Sequence, residues 1–536
     1  LEKFTGQRII EESKLYQKDK TPKLYKLIAG FENEAVRLCD SFRTFLFDKK
    51  DNNKRPLVTE FIILDCDNEI MRNQIIDNGI MVNGIEYFVY SSSANQQKKK
   101  QVLLMSRDFY NKNSNKLMCG ITVEKINQYE DAKGHRGCNT GKYMAYTSLP
   151  FSKSSKTGIP VSIDEVIVLP EFETLVQDNV NYLDMDTQVI ERKTMMVPVN
   201  HMDGAGIFLP GVLPQSAQIR GGWIKGAVFP FDFRQFIFDK QQEGIIEPGS
   251  VIKDVWGSDV TIDYIRDHVK LILNGSQLKM WKYYESWDQY KKAFKENGLE
   301  LLINNMLHYP ETEEPVVQSA YQFYQTIPRQ NITEERIERL CQRTVDTIKD
   351  YQKNPNKIIE VMGADGLQEL DPYCASVKLY PAMANDPYTM SRIKSKVQKI
   401  RKMAMSGKPL IQGFYSYICP DLYAACEYWF CGDKNPEGLI PRNHVYNAFY
   451  SPKNVEEVCC LRSPHLSDCE HGIRTLIKSK ECERWFSGMD TVISTHDLLV
   501  KTLQADVDGD ETLITPDQMF IDLLDRNKVP LYYEMK

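Results

Sequence analysis

Short apolar runs, separated by polar or glycine-rich turns, recur along most of the chain and predict β-strands. In the first 110 residues such runs lie at Val58 to Leu64, Ile85 to Ser91 and Gln101 to Met105. The pattern returns after about residue 160, for instance at Val166 to Leu169 and Met195 to Val199. Strands this short, punctuated by glycine, favour a small compact barrel over an open parallel sheet.

Helical spacing of apolar residues replaces the strand pattern between about residues 258 and 410. The clearest helix is predicted over 386–407, because Asp386 can cap it, Pro387 suits its first turn and Gly407 suits its end. Its apolar stripe comprises Met390, Ile393, Val397, Ile400 and Met403. Its other face carries the basic residues Arg392, Lys394, Lys396, Lys399, Arg401 and Lys402. Such a face fits either a solvated surface or a patch for a nucleic-acid backbone.

These patterns predict an α+β protein, and 536 residues suffice for about three or four domains. The first region has a helical pattern from Lys23 to Phe47 before its strands. The predicted regions are a mixed α/β part (1–159), a first barrel (160–265), a helical connector (266–408) and a second barrel (409–536).

Composition and charge narrow the classes of function. Hydrophobic residues make up 42% and charged residues 26% of the chain, as in ordinary globular proteins. The formal net charge of −6 excludes a chain that is basic throughout, so nucleic-acid contacts would need local patches. Thirteen cysteines without C-x₂-C pairs predict buried thiols in a reducing compartment, not a zinc site. No signal-like start and no apolar run of about 20 residues occur, so the cytoplasm is expected and no membrane partner.

The most informative stretch is an acidic loop at residues 503–511. Asp506, Asp508 and Asp510 alternate along it, and Gly509 allows a tight turn. Carboxylates this close repel one another unless a cation joins them, and such oxygens suit Mg²⁺. An acidic surface turn that binds nothing is the alternative. A calcium loop of the EF-hand type fits poorly, because that pattern needs glycine at its sixth position, where this chain has Glu511.

Several basic residues near short strands are candidate phosphate ligands. Lys225 stands between Gly222 and Gly226, where its backbone can approach another chain closely, and Lys253 is a weaker candidate of the same kind. A surface lysine after a hairpin is the alternative reading of both. Arg462, two residues before a proline, is a candidate ribose or phosphate ligand.

The glycine-rich and basic stretch at residues 131–152 is interpreted as a connector, with a phosphate-contacting loop as the alternative.

Taken together, five motifs in this order resemble those of the two-barrel RNA polymerases. The motifs are Asp-Gly-x-Gly (203–206), Gln-x-Arg-x₄-Lys-Gly (218–226), Arg-x-Pro (462–464), Gly-Ile-Arg (472–474) and Asp-x-Asp-Gly-Asp (506–510). The chain looks most similar to the single-chain members, which are the YonO-like polymerases of phages and bacteria and the eukaryotic RNA-silencing RNA-dependent RNA polymerases. The resemblance covers roughly residues 190–515, and Val507 is a mild departure from the leucine or phenylalanine of many relatives.

The resemblance implies two double-psi β-barrels that face each other, joined by a mainly helical connector. It places Lys225 and Lys253, with Arg220, near the incoming nucleotide and the RNA 3′ end, and Arg462 near the nucleotide sugar. The three aspartates would hold two Mg²⁺ ions. The implied partners are a nucleic-acid template, the RNA product and ribonucleoside triphosphates. Little chain follows residue 515, so another polypeptide is expected to supply the trigger-loop helices and head region.

The predicted function is therefore a nucleotidyltransferase, an RNA polymerase with a two-Mg²⁺ mechanism. The Lys- and Asn-rich composition tilts the expected template towards DNA, in a phage or bacterial setting. Three alternatives stay open: an RNA-dependent polymerase of the silencing type, a non-catalytic or partial subunit, and a Mg²⁺-dependent nuclease.

Overall fold

The computed structural model describes residues 25–29, 60–66, 68–82, 84–91, 98, 100–152, 154, 158–307, 309–310, 312–353 and 379–534. The predicted helix from Lys23 to Phe47 lies outside these residues, except for Tyr25–Ala29, which form a strand. The expected helix is absent from that short segment.

An antiparallel sheet of five strands forms the N-terminal part, in the order β1-β2-β5-β4-β3. Its strands are β1 (Tyr25–Ala29), β2 (Phe61–Cys66), β3 (Ile80–Val82), β4 (Ile85–Ser91) and β5 (Gln101–Ser106). Its helices are α1 (Glu69–Asn78), α2 (Arg107–Leu117), α3 (Val123–Ala132) and α4 (Thr140–Thr147). The three strands expected from apolar runs are all present. The segment interpreted as a connector, 131–152, contains α4.

A six-stranded sheet follows, in the order β15-β10-β11-β9-β14-β6. Its strands are β6 (Val166–Leu169), β9 (Ala205–Phe208), β10 (Ala217–Gly221), β11 (Ile224–Pro230), β14 (Leu271–Asn274) and β15 (Leu302–Met306). The sheet extends past the predicted boundary at residue 265, because β14 and β15 pair into it. These two short strands flank an aromatic-rich helix, so the sequence around them has a helical pattern.

Further elements decorate this sheet. They are the hairpin β7 (Glu173–Leu183) and β8 (Ile190–Asn200), the hairpin β12 (Val251–Lys253) and β13 (Asp259–Thr261), and the helices α5 (Phe233–Gln242), α6 (Ile262–His268) and α7 (Trp287–Glu296). The first hairpin is longer than the run predicted at Met195 to Val199.

The connector contains two long helices, as expected. Its elements are β16 (Val316–Gln318), α8 (Gln322–Gln325), α9 (Glu334–Lys353), α10 (Pro387–Met405) and β17 (Leu410–Gln412). Asp386 caps α10 by accepting a hydrogen bond of 2.8 Å from the Thr389 amide. Val397 is buried and Met390 half-buried, while Lys399 on the basic face is exposed, which confirms the predicted amphipathic helix. Among the described residues, no helix combines the length and the apolar character needed to cross a bilayer.

The last region is a closed barrel of six strands, in the order β18-β22-β19-β21-β20-β23. Its strands are β18 (Phe414–Pro420), β19 (His444–Tyr446), β20 (Glu457–Leu461), β21 (Gly472–Leu476), β22 (Thr491–Ile493) and β23 (Glu511–Thr515). The remaining elements are α11 (Leu422–Cys426), α12 (Lys480–Trp485), α13 (Leu499–Thr502), α14 (Gln518–Ile521) and β24 (Leu531–Tyr532), which pairs with β7.

The two six-stranded sheets have the same topology. Counted along the chain, the strands of each sheet lie side by side in the order first, fifth, second, fourth, third, sixth. In both, the first pairs in parallel with the fifth and the second with the fourth, and the other pairs are antiparallel. In the second sheet the first and sixth strands close the barrel, whereas the matching edge of the first sheet is joined by a bridge between Gly158 and Leu302.

One hydrophobic core runs through both sheets, and polar contacts tie them together at its edge. Asp490, which precedes β22, is wholly buried. It accepts a hydrogen bond of 2.5 Å from the Ser216 hydroxyl, beside β10, and another from the Tyr309 hydroxyl. Burial raises the pKa of Asp490 to about 6.

Replacing Asp490 with asparagine should change how stability depends on pH. The carboxyl has a pKa of about 6 in the folded chain and an ordinary value of 3.8, so the folded state favours its protonated form. The stability from this proton is complete below pH 3.8 and is lost as pH rises through about 6. Urea titrations between pH 4 and 7 should therefore show the wild type losing stability relative to D490N. Parallel curves for the two proteins would contradict the raised pKa of Asp490.

Tyr309→Phe should lower the free energy of unfolding by about 1–3 kcal/mol, because it leaves the buried Asp490 acceptor without this hydrogen bond.

Candidate active site

The acidic loop joins α13 to β23, and its shape follows from alternate burial. Leu503 and Val507 are buried in the core that the two sheets share. The aspartates are less buried, and one oxygen from each of Asp506, Asp508 and Asp510 lies within 4.8 Å of the others. No other cluster of potential metal ligands this tight occurs in the described part of the chain. Val507 is thus a packing position, which explains why an apolar residue stands between the aspartates.

The loop fits against the first sheet at two glycines. A Cβ atom on Gly204, at φ +81°, would lie 2.3 Å from Cβ of Asp508. A Cβ atom on Gly509, at φ +116°, would lie 2.4 Å from the side-chain nitrogen of Gln218. That nitrogen donates a hydrogen bond of 2.8 Å to the Gly509 carbonyl. The first, second and fifth motifs of the sequence therefore meet at one place.

Two cations pair with the middle and last carboxylates of the loop. The Lys225 ammonium, from β11, donates to Asp508 across the two sheets. Arg462, at the end of β20, pairs with Asp510 at 2.8 Å and donates to the Gln504 carbonyl at 2.7 Å. The resemblance implies that Lys225 lies near the incoming nucleotide and Arg462 near its sugar, and these contacts are consistent with both predictions. Within the described residues, no cation pairs with Asp506.

This unequal pairing separates the pKa values of Asp506 and Asp508. Burial raises the pKa of Asp506 to about 7, and the charges of Asp508 and Asp510 add to the effect. Burial would also raise the pKa of Asp508, but the nearby Lys225 ammonium outweighs it and leaves that pKa below its ordinary value. A divalent cation bound by the three carboxylates would favour the ionised form of Asp506. The set of hard oxygen donors fits Mg²⁺.

A second group of ionisable residues, which the sequence interpretation missed, lies next to the loop. Burial lowers the pKa of Lys279, the Lys225 charge lowers it further, and Asp203 and Asp508 oppose this change. Burial raises the pKa of Asp203, and Glu171 and Asp508 add to it. Asp203 stood in a quoted motif, without an assigned role. Lys279 stands in a stretch without any recognisable pattern, so nothing in the sequence identified it.

The turn that carries Lys279 also supports the first glycine motif. The Ser276 hydroxyl accepts a hydrogen bond of 2.6 Å from the Gly204 amide, and the Ser276 amide donates to Glu171 at 2.6 Å. The position of Gly204 against Asp508 therefore depends on residues 274–277, far along the chain.

The two other predicted ligands, Arg220 and Lys253, lie in different surroundings, the first buried and the second exposed. Arg220 pairs with Lys225 in the β10–β11 register, but it is only 8% exposed. Burial lowers its pKa to about 10, and Asp508 opposes the change. Arg220 therefore lies close enough to the acidic loop for the Asp508 charge to act on its guanidinium. Lys253 lies on the β12–β13 hairpin, where its side chain is 62% exposed and pairs with Asp259 at 2.5 Å. Among the described residues, no hydrogen bond or ion pair connects Lys253 to the acidic loop.

The cysteines of the second barrel are free thiols, as the absence of C-x₂-C pairs predicted. The buried ones are Cys419, Cys426, Cys459, Cys460, Cys469 and Cys482. Burial raises the pKa of Cys460 to about 12, so this thiol stays protonated.

Both the fold and the sequence are similar to those of single-chain RNA polymerases. The RNA-dependent RNA polymerase QDE-1 from Thielavia terrestris shares the fold with a TM-score of 0.51, at 11% identity, over 87% of this chain and 48% of that one. The DNA-directed RNA polymerase YonO of Bacillus phage SPbeta is 36% identical over 515 residues, which cover 94% of this chain and 57% of the relative. The chain thus spans little more than half the length of that relative. No protein-family model matches the chain. These similarities confirm the resemblance drawn from the five motifs.

Substituting Gly204 should damage the metal site and leave the fold intact. In Gly204→Ala the new methyl group must displace Asp508, because it would lie 2.3 Å from Cβ and 2.9 Å from Cα of that residue. Mn²⁺ affinity, followed by electron paramagnetic resonance, should fall by about 10- to 100-fold, as expected when support behind a metal ligand is lost.

Gly211→Ala is the matched control. Gly211 also has a positive φ, +90°, but a Cβ atom there meets nothing within 4 Å. This variant carries similar backbone strain and should bind Mn²⁺ like the wild type. Equal loss of affinity in both variants would show that strain, and not the contact with Asp508, is responsible.

Proposed function

We propose that the chain is a template-dependent RNA polymerase, a nucleotidyltransferase that extends RNA with ribonucleoside triphosphates. The observation that carries the proposal is the contact of Lys225 from one sheet with Asp508 from the other, beside a cluster of three carboxylates. The similarity to two RNA polymerases, over most of this chain, supports it.

The architecture we propose is a pair of double-psi β-barrels that face each other across the site. Its support is the shared strand order of the two six-stranded sheets and the closure of the second one. The residues that meet across the interface, Gln218 with Gly509 and Gly204 with Asp508, support a single site built from both halves.

In the proposed reaction, the 3′-oxygen of RNA attacks the α-phosphorus of a ribonucleoside triphosphate, and the bond to pyrophosphate breaks. Mg²⁺ held by Asp506, Asp508 and Asp510, as two ions, would favour deprotonation of the 3′-hydroxyl and stabilise the leaving pyrophosphate. Lys225 and Lys279 lie close enough to these carboxylates to offset charge that develops on the phosphates.

The other basic residues have supporting roles in this proposal. Arg462 holds Asp510 and presents its remaining donors towards the nucleotide sugar. Arg220 stabilises the charge of Asp508 from beneath. The exposed basic face of α10, with Lys394, Lys399 and Arg401, would lie along a nucleic-acid backbone.

For the template we favour DNA, because the relative with 36% identity is named as a DNA-directed enzyme. An RNA template is the second candidate, and the name of the structural neighbour supports it. Since the chain spans 57% of its relative's length, we include in the proposal a further polypeptide or segment that supplies the trigger-loop and head region.

A Mg²⁺-dependent nuclease could use the same three carboxylates. It would not need lysines opposite them to receive a triphosphate. The placement of Lys225 and Lys279 at the site therefore favours the polymerase. A non-catalytic subunit would have no reason to keep all three aspartates together.

Nucleotide incorporation on two templates tests the proposal. The chain, Mg²⁺ and four ribonucleoside triphosphates are incubated with a primed single-stranded DNA or a primed single-stranded RNA. We expect template-dependent RNA product, greater on DNA. Asp508→Ala should lower the rate at least about 100-fold, because the group positions charge in the transition state.

Glu481→Ala is the control for that experiment, since Glu481 is an exposed carboxylate on α12. It should extend RNA at the wild-type rate. Shortening of the primer in place of extension would favour the nuclease. Absence of product on both templates, with Mn²⁺ still bound, would favour a partial subunit.

Arg462 offers a test of sugar selection. If its guanidinium contacts the ribose, Arg462→Ala should lower the preference for ribonucleotides over deoxyribonucleotides by about 10-fold, the loss expected for one charge-assisted hydrogen bond. The measurement is kcat/KM for matched ribo- and deoxyribonucleoside triphosphates. If Arg462 only holds Asp510, both values should fall together and their ratio should not change.

A further inference from the structure

A large cleft opens beside the candidate active site, with a volume of about 1180 Å³. One wall is the segment 135–146, which includes the start of α4, and the other is the turn 275–283. Asp203 and Lys279 line its inner end, and the charge of each acts on Asp508 or is affected by it. Because Gly204, the neighbour of Asp203, packs against Asp508, the cleft lies next to the proposed site of reaction.

The lining of the cleft carries four cations, Arg136, Lys142, Lys279 and Lys282, against three carboxylates, Glu130, Glu171 and Asp203. Glu130 is already matched: it contacts Lys282 at 2.5 Å and His135 at 2.6 Å. These contacts, Lys282 first, lower its pKa to about 2. Arg136 and Lys142 are exposed, and neither pairs with a carboxylate in the part of the chain that the structure describes. Two cations at the wall are therefore available to an anionic ligand.

Aromatic side chains lie between these charges. Tyr146 and Trp281 line the cleft and are partly exposed. Cations that follow a phosphate backbone, alternating with rings on which bases stack, characterise grooves for single-stranded nucleic acid. The volume also exceeds the range of about 300–1,000 Å³ that is usual for small-molecule pockets. The chemistry and the size both favour a strand over a single nucleotide.

We propose that this cleft binds a single-stranded segment of nucleic acid next to the active site. Arg136 and Lys142 contact its phosphates, and Tyr146 and Trp281 stack on its bases. The inference rests on the proposed polymerase function, since it assigns the strand to the substrate or product of that site. It also gives a role to the stretch 131–152, which the sequence analysis interpreted as a connector.

The first test measures binding without catalysis. The affinity for a fluorescent 12-nucleotide RNA, and for the DNA of the same sequence, is measured by anisotropy at several salt concentrations. Arg136→Glu/Lys142→Glu should weaken binding at least 10-fold. It should also reduce the slope of log K against log salt by about 0.7 for each lost phosphate contact.

The matched control changes the same number of charges elsewhere. Lys478→Glu/Lys480→Glu alters two exposed lysines near α12 that do not line the cleft. This variant should keep the slope and most of the affinity. Equal losses in the two double variants would overturn the proposal, because the effect would then follow net charge alone.

Tyr146→Leu separates stacking from charge. It should weaken binding by between about 5- and 100-fold, the range for one stacked base, and leave the salt slope unchanged. Unchanged affinity in this variant would contradict the role given to the ring. Circular dichroism shows whether each variant is folded.

Primers of different length show whether the cleft holds a nucleic-acid strand or the incoming nucleoside triphosphate. With a dinucleotide primer, Arg136→Glu/Lys142→Glu should have the same KM for the nucleoside triphosphate as the wild type. With a 12-nucleotide primer, the same variant should extend the primer more slowly than the wild type. A raised KM with the dinucleotide primer would place the triphosphate in the cleft and overturn the proposal. Selective loss of RNA binding would identify the product strand, and selective loss of DNA binding the template.

Failure of the proposed polymerase function can be distinguished from failure of the cleft proposal. If the wild type incorporates no nucleotide, the anisotropy measurements still report on the cleft, since they measure binding and need no catalysis. Loss of oligonucleotide binding confined to the cleft variants would then support the cleft without a polymerase.

Discussion

The contact between Lys225 and Asp508 balances the charges on which the rest of the site depends. Three carboxylates with oxygens within 4.8 Å of one another repel by an energy on the order of 4 kcal/mol per pair at an effective dielectric constant of 20. Lys225 relieves the middle carboxylate and Arg462 the last one, and the first keeps a raised pKa. Of the three carboxylates, only Asp506 has no cation paired with it among the described residues.

Because that ion pair crosses from one sheet to the other, the two sheets must be held in a fixed relation. Several independent contacts provide this. Glycine at 204 allows the backbones to touch, Gln218 holds the Gly509 carbonyl, and Asp490 joins Ser216 to Tyr309. Behind them lies one continuous hydrophobic core. A site assembled from two rigid sheets in this way positions charged groups more accurately than flexible loops could.

Much of this arrangement was predictable where a local signal exists. Val166 to Leu169 is a strand because a short, wholly apolar run can only be buried, and α10 has a cap, a stripe and an end. The acidic loop was identified because three alternating carboxylates are rare. The sequence contains no comparable signal for which residues far apart along the chain meet in the fold. Nothing around Lys279 shows that its turn folds beside Asp203, and the motif containing Arg220 does not show that its side chain is buried. The boundary at residue 265 failed to match the sheet because β14 and β15 are too short to produce a strand pattern of their own.

The repeated topology shows how one fold can supply two different halves of a site. In the second sheet the aspartates lie just before the sixth strand, whereas the same place in the first sheet holds Leu299 and Leu301, both buried. The fourth strands differ in the opposite sense. Lys225, on β11 of the first sheet, pairs with an aspartate of the second half. Arg474, on β21 of the second sheet, is buried and pairs with Asp497 of its own half. Equivalent strands thus contribute to packing in one sheet and to chemistry in the other. Because the acids come from one half and the lysines from the other, neither half alone contains the charge pattern. Substitutions at the interface should therefore affect function before they affect the stability of either sheet.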